Sequence, residues 1–153
     1  MHAGEVEGEA MKTPSKSRVI DFETGSLTRE EIEGLLNTLP VDTTFVDASG
    51  SVRYFNKAED RVFPRTKAII GRKVQNCHPQ KSVHIVSQVI DDLKNGRRKS
   101  ADFWIDMNQR KIYIRYFPVR NQKGEYLGII EATQDITDIK KIEGERRLLN
   151  ETQ

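Results

Sequence analysis

A chain of 153 residues with 36% hydrophobic residues holds one domain with appendages, its core spanning about a hundred residues rather than the whole length. Its 25 Lys+Arg against 23 Asp+Glu leave a net charge of +2, a near-balance that argues against a nucleic-acid binder, and the Arg97-Arg98-Lys99 run reads as a solvated loop. One cysteine excludes an intramolecular disulfide framework. No apolar run approaches the roughly 20 residues of a membrane span and no signal-peptide pattern opens the chain, so no membrane association and a cytoplasmic location are expected.

Residues 1–17 carry almost no large apolar side chains and cannot bury enough surface to offset ordering entropy, so a disordered tail is expected. Residues 18–39 form an N-terminal cap built around an amphipathic helix. Thr28 and Glu31 have capping-box spacing, Ile32, Leu35, Leu36 and Leu39 fall on one helical face, and Pro40 blocks continuation. Residues 43–46 and 52–55, joined by the turn-like Asp47-Ala-Ser-Gly50, predict a β-hairpin. Residues 56–78, punctuated by Pro64 and Gly71, suit short helical turns. Pro79 fits the first turn of a longer helix, with Val83, Val86, Val89, Ile90 and Leu93 as its apolar face and Gly96 as a left-handed C-cap. Three strands follow, over 101–107, 111–119 and 126–133, the last two joined by the turn Asn121-Gln-Lys-Gly124. Thr137 or Asp138 can cap a final helix over 138–153, where Ile139, Ile142 and Leu149 lie at a/d-like spacing interrupted by Arg146. Short hairpin connections argue for an antiparallel sheet, and helices grouped between its second and third strands would cover one face. The expectation is an α+β fold: a five-stranded antiparallel sheet with helices on one face, flanked by N- and C-terminal helices.

Chemistry-bearing side chains concentrate at 71–84, which holds the only cysteine and two of the three histidines. Cys77, His78 and His84 offer thiolate and imidazole ligands suited to zinc, copper or iron. A structural zinc needs four protein ligands, and adjacent Cys and His do not easily face one ion, so a dimer would have to double the count. The competing reading buries Cys77 as a small hydrophobe and uses His78 to cap the helix or bond a carbonyl. A cysteine near a helix N-terminus also opens reversible oxidation. The nucleophile-elbow, Walker and His-Glu-x-x-His patterns are absent, so no enzyme activity is expected. Asp102 and Asp106 read as the solvent side of their strand. Arg115 reads as pairing with an acidic neighbour on the sheet surface, or else as holding a carboxylate or phosphate. The stretch 111–117 is apolar on both faces. One face packs under the helices, and the 28–39 helix, from its own chain or a second subunit, is the natural lid for the other.

This layout resembles a PAS domain over residues 40–137. The resemblance is carried by Asn56 after the second strand, Ile70-Gly71-Arg72, Pro79 before the long helix, Asn95-Gly96 at its end, Gly128 in the closing strand, and Asp135-Ile-Thr137 at the hand-over to a signalling helix. Gly25-Ser-Leu27, residues 39–47, Phe63-Pro-Arg-Thr66 and Asn76-Cys-His-Pro79 are similar to one bacterial and archaeal subfamily. That subfamily is often fused to a domain of unknown function and to hemerythrin-like domains. The resemblance implies a sensory or signal-relay module, as in transcription regulation or two-component signalling, holding a small ligand between helices and sheet. Among cofactors it implies haem first, with His84 on the long helix as axial ligand and Ile85, Val89, Phe103, Ile105, Ile114 and Ile130 as apolar walls. The competing reading makes His84 a core or surface histidine. A flavin photosensor is not expected, because Asn76-Cys77 continues as His-Pro and departs from the light-sensing pattern. The alternatives are a ligand-free dimerisation module of the same fold and a Cys-based redox or metal sensor. The expected partners are a second copy, meeting through the flanking helices, and a downstream signalling protein or domain.

Overall fold

The computed structural model describes residues 18–150; the tail expected over 1–17 lies outside them. The described residues divide into two compact units, the first ending at Leu35 and the second beginning at Leu36. The first holds an antiparallel hairpin of β1 (Val19–Phe22) and β2 (Gly25–Thr28), then the start of α1 (Arg29–Thr38). The anticipated capping box is formed: Thr28 Oγ1 accepts the Glu31 N–H at 3.1 Å, and the Glu31 carboxylate accepts the Thr28 N–H at 2.9 Å. The hairpin was not expected from the sequence. Its four β1 residues are all exposed, so no alternation of burial marks them.

The second unit is the predicted α+β domain. Its sheet runs β4-β3-β7-β6-β5, all antiparallel, from β3 (Asp42–Asp47), β4 (Val52–Phe55), β5 (Ala101–Met107), β6 (Arg110–Arg120) and β7 (Tyr126–Asp135). Two 3₁₀ turns, Lys67–Ile69 and Val74–Cys77, occupy the stretch expected to hold short helices, and α2 (Gln80–Lys94) follows Pro79 as expected. Gly96 takes φ 74° at the end of α2, and the Arg97 N–H closes back on Asp92 O at 2.9 Å. Arg97 and Arg98, read as a solvated basic run, are paired with the helix they follow, through Asp91 and Asp92. Gly128 has φ 151°, and a Cβ there would run into Val46 O of the neighbouring strand.

Residues directly opposite one another in the sheet share a face, so the register sorts the side chains. Phe103, Ile114, Thr133 and Asp42 lie on one row of the inner face, and Ala101, Tyr116, Glu131 and Thr44 on the next. Asp102, Trp104, Tyr113, Arg115, Phe117 and Ile130 lie on the outer face. Arg115 donates to Gln134 at 2.9 Å and stacks over Tyr113 and Phe117; among the described residues it meets a neutral amide in place of the expected acidic neighbour. Leu93, Ile112, Val52, Ile129 and Ala101 form the buried core.

Asn56 has no exposed surface. Its Oδ1 accepts the Thr43 N–H at 2.8 Å and an Arg61 N–H at 3.0 Å, while its Nδ2 donates to Leu36 O and Val41 O, both at 2.9 Å. At the other end of the domain, Asp135 accepts from Thr137 N–H and Oγ1 and from Arg110 Nε at 2.6 Å. These bonds hold its carboxyl at about 2, the Thr137 hydroxyl contributing most. Lys111 and Ile136 close the same corner, Lys111 N–H bonding Thr137 Oγ1 and Ile136 N–H bonding Lys111 O. Beyond it the chain does not form the expected α-helix. It makes two 3₁₀ turns, Ile139–Lys141 and Leu148–Asn150, and leaves Ile139, Ile142 and Leu149 exposed by 53%, 74% and 86%. Two helical heptads without a partner surface lack the burial that offsets helix nucleation.

Asn56→Ala strands the buried Thr43 N–H and two carbonyls and is expected to cost about 3 kcal/mol or more in urea unfolding; a loss below about 1 kcal/mol contradicts the assigned bonds. Asp135 titrates lower folded than unfolded, so its contribution is complete above about pH 4 and is lost as pH falls toward 2. Asp135→Asn is therefore expected to lower the urea midpoint at pH 7, and its gap from the parent chain should narrow toward pH 2. A pH-independent gap contradicts this.

Candidate functional site

Between α2 and the inner face lies a cavity of about 470 Å³. A cleft of this size falls in the range of small-molecule sites. Its helical wall is Ile85, Val86, Val89, Ile90 and Leu93, a stripe set by helical periodicity. Its sheet wall is Phe103, Ile114, Ile129 and Val46, with Tyr116 and Glu131 as the polar members. Phe63, Arg65, Val74 and His78, from the connection between β4 and α2, complete it. Leu93 and Ile129 form a floor that is 0% and 3% exposed, whereas Ile85 at 53% and Phe103 at 40% mark an open mouth beside β5. The C-terminal end of α2 is fastened to the sheet by Arg120, which donates to Leu93 O and Lys94 O.

The polar end of the cavity is an ion pair. Arg65 Nη2 meets Glu131 Oε1 at 3.5 Å, both side chains more than two-thirds shielded from solvent. The Thr133 hydroxyl donates to the same carboxylate oxygen at 3.3 Å. Burial, reinforced by the Glu131 carboxylate, pushes the Tyr116 phenol far up, so it stays a hydroxyl donor. Arg65 Nε is buried and meets no acceptor among the described residues. Arg61 lies behind this pair, its guanidinium tied to Asn56 O, Asn56 Oδ1 and Phe63 O and stacked over Phe55. Burial draws its pKa below the usual arginine value.

The expected site residues divide. Val89, Phe103, Ile114 and Ile85 are wall residues. Ile105 lies on the inner face but beyond the cavity, and Ile130 points to the outer face because it pairs with Phe117 and Phe45. His84 is exposed on α2 and takes no part in the wall, one helical position before Ile85. The side chains present therefore do not fit a haem held through His84. His78 does reach the cavity. Its Nδ1 lies 2.9 Å from Val74 O, so Nδ1 donates to that carbonyl. This is the carbonyl bond anticipated for it. Among the described residues no three His, Cys, Asp or Glu side chains converge on a metal position, and the Cys77 side chain lies outside the described residues. Arg65, Tyr116 and Glu131 were not foreseen. The signal for Glu131 is a charged residue at an inner-face position of a strand, which becomes readable only once the register is known, whereas Arg65 lies in an irregular connection with no period to read.

A family model for the PAS domain matches residues 32–137. The chain is similar to the crystal structure of a C-terminal domain from Streptococcus mutans, with 32% identity and a TM-score of 0.78 over 83% of this chain and 98% of that one. The PAS domain of Bordetella pertussis BvgS shares the fold at 20% identity and a TM-score of 0.54, covering 80% of this chain and 92% of that one. A PAS domain from Colwellia psychrerythraea does so at 20% and 0.53, covering 71% and 97%. No curated protein matches the chain. The match spans more than half of the chain, and the chain belongs to the PAS domain family.

Proposed function

We propose that the chain is a ligand-binding sensory module, without enzymatic activity, whose occupied and empty states differ in how α2 packs on the sheet. The observation that carries this reading is the cavity itself: about 470 Å³ with apolar walls, a mouth, and a half-buried ion pair at its polar end. A pure interaction module would fill that space with its own side chains. The route outward is also supported. Phe103 and Ile114 belong to the β5–β6 hairpin, and that hairpin grips the chain's exit through Arg110, Lys111, Asp135 and Thr137. A ligand moves this corner only if it binds the two packings with different affinity. Residues 138–150 would pass the change to a downstream domain or protein, and a second copy would bury Ile139, Ile142 and Leu149, which are exposed in the single chain. Haem through His84 is not part of the reading, since His84 stands outside the cavity.

Val89→Trp places an indole in the cavity. Native mass spectrometry after incubation with a cell extract is expected to show a small-molecule adduct on the parent chain and none on the folded variant. Equal adducts on both, or none on either, contradict the proposal. For the second copy, sedimentation equilibrium is expected to give a dimer that Ile142→Glu weakens about tenfold or more; a monomer at every concentration contradicts it.

A further inference from the structure

The inference rests on the sensory reading above and concerns the class of ligand. The Nε–H and one Nη2–H of an arginine lie side by side on one edge of the guanidinium, spaced to match the two oxygens of a carboxylate. On Arg65 that edge is underused. Nη2 has a single contact, to Glu131 at 3.5 Å, and Nε is buried with no acceptor among the described residues. Glu131 is better supplied, by the Thr133 and Tyr116 hydroxyls as well as by Arg65. An arginine at the wall of an apolar cavity, held by one long contact, keeps hydrogen-bonding capacity that a carboxylate can take up.

Charge balance narrows the choice further. Arg65 and Glu131 are the arginine and the carboxylate of the lining, and their charges cancel. A bare carboxylate on Arg65 would leave Glu131 as an unmatched buried anion, and a bare amine on Glu131 would strand Arg65; each is costly at low dielectric. A molecule with both groups on adjacent atoms matches both charges at once. Apart from Tyr116 and His78, the rest of the wall, from Leu93 and Ile129 to Val89 and Ile114, is apolar. We propose that the cavity of this chain takes an α-amino acid with a large apolar side chain, its carboxylate on Arg65, its ammonium on Glu131, and its side chain against α2.

The test is isothermal titration of the full chain with L-phenylalanine and L-leucine beside 3-phenylpropionate, phenethylamine and indole. These last three carry the acid alone, the amine alone, and neither. An amino acid is expected to bind at least about tenfold tighter than any of the three, the scale on which one charged hydrogen bond is lost. Arg65→Gln should remove the preference over phenethylamine and Glu131→Gln the preference over 3-phenylpropionate, with thermal midpoints showing both variants folded. Binding of 3-phenylpropionate or indole as tight as the amino acids overturns the zwitterion while leaving a ligand cavity in place. Failure of all five to bind overturns the zwitterion, while the sensory reading falls only if the cell-extract adduct is absent as well.

Discussion

The fold of this domain turns on one buried amide. Asn56 uses its oxygen for two donors and its nitrogen for two carbonyls, with no solvent to substitute for any of them. An aspartate lacks the two donors and a serine has too few groups, so the position asks for this side chain. Its four bonds join the last turn of α1, the residue before β3, β3 itself and Arg61. Arg61 then reaches Phe63 O and the Thr44 hydroxyl, which leads the connecting segment along the inner face of the sheet. Arg65 comes to the cavity because this chain of bonds delivers it there.

The cavity inherits its character from two periodicities. Helical spacing on α2 and strand alternation on β5, β6 and β7 supply apolar walls, Glu131 breaks the pattern on β7, and Arg65 meets it from the connection between β4 and α2. The two charges are half-buried and loosely joined, at 3.5 Å. Loose pairing leaves hydrogen-bonding capacity that a ligand can take up. The same hairpin that lines the mouth also holds Asp135 and Thr137 through Arg110 and Lys111, so the cavity and the chain's exit share a structural element.

Much of the fold was legible beforehand because local rules and tertiary packing agree. The capping box at Thr28 and Glu31, Pro79 before α2, Gly96 after it and the alternation in β5 each carry a local physical reason. The β1–β2 hairpin was not legible, since its side chains are exposed and follow no burial pattern. The last helix was overread. Ile139, Ile142 and Leu149 have helical spacing, but a single chain offers them nothing to bury against. The site was half legible. Val89, Phe103 and Ile114 follow from periodicity, whereas Ile130 was assigned to the wrong face of β7, a matter of one residue in register. His84 drew notice as a ligand type, yet helical phase places its neighbour Ile85 in the wall instead.

The central claim is that the space between α2 and the sheet is a ligand site coupled to the chain's exit. Isoleucine-methyl NMR of the full chain tests it most directly, because Ile90, Ile114 and Ile129 report the cavity and Ile136 reports the exit corner. Titration with a cavity-sized molecule such as L-phenylalanine or indole is expected to shift the three cavity methyls together with Ile136 at one common midpoint. Cavity methyls that stay in place would contradict the site, and cavity shifts with Ile136 unmoved would contradict the coupling.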